Sequence, residues 1–387
     1  MTKKSPHIDV EPEVLKWLRK SSGWTIDDVS KHLHVSTQLV SYWETGARQP
    51  TLNQIENLAR AYKRPSAAFF LAEPFEERPL PSDFRSFPNV ASPPTKKTLR
   101  VIRKARDLQS ISSELMENLD IEPNAEVRRW SVLGDVEKIA RIERNDVGIP
   151  LDEQFRWKSA YEAFNRWREV IELKKIAVFQ FPMEEIRGLS LTDVSPSTIL
   201  VNSKDLIEAR IFTLLHEYAH VLLHEPALCT PENPIVIGRG QDFERWCNNF
   251  AGEFLMPSEQ IKQDFEQFGI ANYRQIARKY RVSLSAVLTR LLVLELISRD
   301  LYESELTSLR QKELKKEQSK LEKKLQESEE VSDDRYGGES STRRASREVG
   351  KTFISLVREN THQGLITHSD ALNYLNVKIK HLKELEI

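Results

Sequence analysis

The chain has 387 residues, with 57 Lys and Arg against 58 Asp and Glu, and two cysteines. So even a balance excludes bulk electrostatic attraction to nucleic acid or membrane, and any DNA contact must come from a local surface. Two cysteines cannot build a disulfide framework. No apolar run reaches bilayer-spanning length and none follows the basic N-terminus, so a soluble cytoplasmic protein of two or three domains is expected.

Residues 10–71 read as short helices divided by turn signals. Val14, Leu15, Trp17 and Leu18 form the apolar face of the first, which Ser22 and Gly23 end. Thr25 is placed as the N-cap of the second, with Asp27 and Asp28 in its first turn and Ile26, Val29 and Leu33 inward. A third spans 37–44 and stops at Thr45-Gly46. A fourth follows Thr51 with Leu52, Ile55, Leu58, Ala59 and Tyr62 on one face. Residues 1–70 are net basic, ten Lys and Arg against seven acids.

Two short helices with a tight turn, the second polar outside, are what a helix-turn-helix requires. The run V-S-T-Q-L-V-S-Y-W-E-T-G-A-R-Q-P resembles the Cro and phage-repressor (XRE) family in its recognition helix, through Ser36, Val40, Ser41, Trp43, Glu44 and Gly46. The resemblance implies binding to double-stranded operator DNA, with Thr37, Gln38 and Ser41 facing the major groove. Gln38 is the best base reader, because an amide pairs bidentately with adenine. Arg48, Lys31, Lys3 and Lys4 are then phosphate contacts. The competing reading of these helices is a module that docks protein.

Prolines at 74, 79, 81, 88, 93 and 94 make residues 73–96 an extended connector, whose Phe75, Leu80, Phe84 and Phe87 suit it to lie on a surface. Residues 97–173 turn helical and carry no titratable cluster. Short buried strands are expected over 176–181 and 198–202, with a further one at 188–191, and a sheet edge there can take a substrate backbone as an added strand.

His216-Glu217-Tyr218-Ala219-His220 follows, inside a strongly apolar helical stretch. Histidines four apart share one helix face and can grip one divalent ion, zinc above all, with Glu217 as general base. Ionisable groups in such a helix are costly unless paired or bound to metal. The spacing of a third histidine in the H-E-x-x-H-x-x-G-x-x-H pattern is excluded, since Leu223 and Pro226 stand at the key positions. A carboxylate is the alternative third ligand, and Asp242 or Glu244, near the start of a helix that Pro257 ends, can supply it. Tyr218 points to another face and is read as packed. His224 is read as a helix-end histidine that steadies the site, with a ligand role as the alternative. Cys247 is read as a small buried residue.

F-T-L-L-H-E-Y-A-H-V-L-L-H followed by E-R-W-C-N-N-F-A-G-E-F-L-M-P resembles the ImmA/IrrE metallo-endopeptidases. Segments 80–85, 276–291 and 366–378 add to the likeness, which extends over most of 75–387. It implies Zn2+ held by His216, His220 and Glu244, Glu217 as the catalytic base, and a zincin-like peptidase acting on a regulatory protein substrate or toxin partner in a stress, mobile-element or toxin–antitoxin circuit.

Residues 274–298 read as a second helix-turn-helix with a packing role, 301–349 as a charged helix with a flexible break at 333–341, and 350–387 as a terminal helical unit. The expected fold is mainly α (α+β): an N-terminal four- to five-helix domain over 1–72, the connector over 73–96, and a zincin-like metallopeptidase domain over 97–300 with a small β-sheet, then C-terminal helices. The expected function is a sequence-specific DNA-binding regulator with a zinc-dependent endopeptidase. The alternatives are an antitoxin-like repressor that keeps the fold for partner binding without proteolysis, and a scaffold in which both modules dock protein. No membrane contact is expected, and homodimerisation is left open.

Overall fold

The computed structural model describes residues 6–76, 78, 94–123, 127–224, 227–229, 241–328, 340–381 and 383–385. They fall into two compact units, Met1–Arg106 and Asp107–Ile387.

The first unit holds α1 (Pro12–Ser21), α2 (Ile26–Leu33), α3 (Thr37–Thr45) and α4 (Leu52–Tyr62), then a 3-10 turn at Ser66–Phe70. Side-chain oxygens satisfy the exposed N–H groups at the starts of α2, α3 and α4. Thr25 accepts from Asp28 N and Asp28 accepts from Thr25 N at 2.8 Å, a reciprocal box that Thr51 and Gln54 repeat on α4, while Ser36 caps α3. His34 ends α2 in the left-handed conformation. Leu18, Ile55 and Phe69 are fully buried, each worth about 1.5–3 kcal/mol of transfer free energy. Arg19 ties α1 to α3 through a two-pronged bond to Glu44, at 2.5 and 2.8 Å, and both side chains are largely buried.

Of the expected connector, residues 77 and 79–93 lie outside the described set, and α5 (Lys96–Glu117) begins at its end. Near its start Lys96 pairs with Asp28 at 2.9 Å and Arg103 donates to Ser22 and to the Tyr62 carbonyl, all within the first unit.

The second unit contains α6 (Val136–Asp146), α7 (Leu151–Arg156), α8 (Ala160–Leu173), β1 (Ala177–Phe181), β2 (Gly188–Leu191), β3 (Thr198–Asn202) and α9 (Ile207–Leu223). After α9 come β4 (Ala227–Cys229), α10 (Gln241–Leu255), α11 (Ser258–Phe268), α12 (Tyr273–Tyr280), α13 (Leu284–Val293) and α14 (Arg299–Ser328). α15 (Ser341–His362) and α16 (His368–Leu375) close it. The sheet order is β1-β3-β2-β4, with β1 parallel to β3 and β2 antiparallel to both its neighbours. β1 and β3 are buried along their whole length, which their unbroken apolar runs require. From Thr213 to Leu223 α9 is buried on all sides, so its apolar residues surround it instead of forming one stripe. The main core gathers around it from α8, α10, α12 and α13, and the second helix pair expected at 274–298 is part of that core.

α15 packs against β1. Gln180 of β1 donates to the Arg347 carbonyl, and Arg168 of α8 reaches the carbonyls of Val178 and Arg347. α15 kinks at Gly350, whose φ of 81° suits glycine and where a Cβ would overlap the Arg168 guanidinium. Of the break expected at 333–341, residues 333–339 lie outside the described set, while Ser340 caps α15 by accepting from Arg343 N. That corrects the end of the break, because a serine hydroxyl before a helical run serves a helix start better than a loop. No helix among the described residues is long and apolar enough to cross a membrane.

Candidate metal centre and reading helix

α9 presents His216 and His220 to one side, one turn apart. α10 lies against that side and brings Glu244 from its first turn. His216 Nε2 lies 3.2 Å from Glu244 Oε2, His220 Nε2 lies 3.1 Å from Glu244 Oε1, and the two Nε2 atoms are 3.1 Å apart. Among the described residues these three form the one group of His, Cys, Asp and Glu whose ligand atoms converge, all within 4.8 Å. Asp242, the other carboxylate in question, does not join them. Burial pushes the Glu244 carboxyl up, but the two imidazoles facing it prevail and hold it well below the usual carboxylate range. His216 Nδ1 is buried with no hydrogen-bond partner among the described residues. Two imidazoles and a carboxylate, with Nε2 atoms turned toward one point, suit a divalent zinc-type ion with a coordination position left open.

Rotation by one residue along α9 sends the next side chain elsewhere. Glu217 is fully buried against β2 at Gly188. Tyr218 turns to the far side and donates to Glu143 at 2.7 Å, with its pKa raised first by burial and then by that acid. Glu143 also accepts from the Trp130 indole at 2.8 Å, and the backbone N–H of Trp130 donates to the Leu222 carbonyl. The back of α9 is therefore fixed by a polar cluster around the buried Glu143 and Tyr218. His224 caps α9 in the left-handed conformation and stands outside the convergent group. Cys247 is fully buried on α10, and burial raises its thiol pKa.

Residues 171–292 match the family model for the IrrE N-terminal-like domain of peptidase family M78, and residues 13–68 match a helix-turn-helix domain model. The chain is a helix-turn-helix domain fused to an IrrE-like domain. No curated protein matches it. The IrrE-like match contains His216, Glu217, His220 and Glu244, and it stops at residue 292, ahead of the segment at 366–378. The helix-turn-helix match contains the whole of α1 to α4 but for Pro12. The fusion thus joins a module of DNA-binding type to a domain of a metallopeptidase family.

In the helix-turn-helix domain, Val40 and Trp43 of α3 are buried and Thr37 and Gln38 are exposed, which gives the helix a polar outer face. Ser41 is half-buried and bonds back to the Thr37 carbonyl at 3.1 Å. Gln38 donates to the Tyr42 hydroxyl at 2.8 Å, and the exposed Arg48 lies over the Tyr42 ring at 5.7 Å. Tyr42 links the residue expected to read a base with one expected to bind phosphate. Sequence reasoning passed over it, although its spacing of four from Gln38 is the signal for a shared face.

Proposed function

We propose that this chain is a sequence-specific DNA-binding regulator whose IrrE-like domain is a zinc-dependent endopeptidase acting on a partner repressor or antitoxin-type protein. The convergence of His216, His220 and Glu244 from α9 and α10, with Glu217 between the histidines in sequence, carries the reading. His216, His220 and Glu244 would hold the zinc. When bound, it supplies Lewis acidity and lowers the pKa of a coordinated water. Glu217 is the group to accept a proton during attack on a peptide carbonyl and to return it to the leaving amine. The outer edge of β4 offers backbone groups to an extended substrate, as no described strand pairs with that edge. Thr37, Gln38, Ser41 and Arg48 provide the DNA contacts, which narrows the substrate to proteins found near the operator.

A second reading has one observation in its favour. Glu217 is fully buried, which suits a fold kept for partner binding without cleavage. The same preparation separates the two. Wild type and Glu217→Gln are loaded with zinc and incubated with the product of the adjacent gene. The peptidase reading expects cleavage by wild type alone with equal zinc in both proteins. An intact partner across all conditions, with zinc bound, favours the second reading.

A further inference from the structure

Gly188 opens β2, paired with Val201 of β3 on one side and Cys229 of β4 on the other. Its φ lies outside the left-handed region, so the backbone does not call for glycine there. Space does. A Cβ at this position would overlap Glu217 Oε1 most closely, then Thr213 Cγ2 and Glu217 Cδ. Thr213 and Glu217 are one turn apart on α9, so both face the strand along the same stripe. A glycine inside a strand marks such a close approach.

We infer that Gly188 is a positioning residue for Glu217: the missing side chain is the seat in which the acid of the motif rests. The nearest obstacles to a methyl group are all side-chain atoms, and the backbone of α9 is not among them. β2 is held by backbone pairing on both edges, whereas the Glu217 carboxylate is the end of a flexible side chain. An added methyl therefore displaces the carboxylate, which it meets most closely, together with the Thr213 methyl, before it separates strand from helix. The kinetic consequence rests on the peptidase reading above, and the structural one does not. A displacement of about 1 Å in a catalytic group can lower turnover about 100-fold.

The test is Gly188→Ala in the full chain, made in wild type and in a Thr213→Ser/Glu217→Ala background. Overpacking lowers the wild-type melting temperature by about 2–6 °C. The loss falls below about 1 °C in the double-variant background, because the atoms struck are gone. Equal losses in both backgrounds overturn the inference. Should Gly188→Ala fail to fold in wild type, folding in the double-variant background supports the seat, and failure in both overturns it. On a partner that wild type cleaves, kcat falls about 100-fold with KM within about 2-fold and zinc content unchanged. A rise in KM with kcat intact, or loss of zinc, contradicts the positioning role. If wild type holds zinc and cuts nothing, the peptidase reading fails separately and the melting comparison alone decides the inference.

Discussion

On α3 the residues expected to read DNA stand exposed, and Val40 and Trp43 below them do the packing. On α9 the order is reversed: His216, Glu217 and His220 are themselves inside the core, in a helix buried all round from Thr213 to Leu223. The difference lies in what each helix can lose. An exposed polar side chain contributes little to folding, so α3 can change its reading face while keeping its fold. A buried ionisable group must be matched by partners, so function and packing on α9 cannot be changed separately.

The largest expected effect tests the buried side of that comparison. His220→Ala or Glu244→Ala removes a proposed ligand and is expected to weaken zinc binding by more than about 100-fold, beyond what loss of a group supporting a ligand does. Competition against a chelator measures it. Operator binding by the same variants should stay within about 2-fold, and a larger loss would break the separation between the two helices.

Glu44→Ala comes next and probes the exception on α3. Its carboxylate is the partner of Arg19, so removal leaves a largely buried guanidinium unpaired. A destabilisation of about 3 kcal/mol is expected for the helix-turn-helix domain in urea. Gln38→Ala should alter discrimination at one base pair by about 1–3 kcal/mol with the melting temperature unmoved, as read from binding to a set of operator variants. Tyr42→Phe should have a smaller effect in the same assay, since it removes only the acceptor that orients the amide.

The smallest effect concerns acid. The backbone N–H of Thr25 and then Lys96 lower the Asp28 carboxyl from 3.8 to about 2. A folded-state pKa below the unfolded one gives stability that is present above about pH 4 and lost as pH falls toward 2. Asp28→Asn should flatten the stability profile in that window. Asp28 is partly exposed, so the difference is small and shrinks with salt.

How much was legible in the sequence follows from distance along the chain. Thr25 could be read as a cap because a cap is decided within three residues. The histidines of α9 could be placed on one face because helical spacing alone does that, and the convergence with Glu244 needed a second motif downstream. β4 was not foreseen: three residues are too short for alternation to show, and pairing with β2 makes the strand. Neither Arg19 with Glu44 nor Gly188 under Glu217 leaves a local signal of its partner, since each depends on two elements crossing.

The metal content of purified, zinc-loaded protein tests the central claim most directly. The account expects about one zinc per chain in wild type and in Glu217→Gln, and almost none in Glu244→Ala. Wild type that binds no zinc, or Glu244→Ala that binds it equally well, would contradict a centre built from His216, His220 and Glu244.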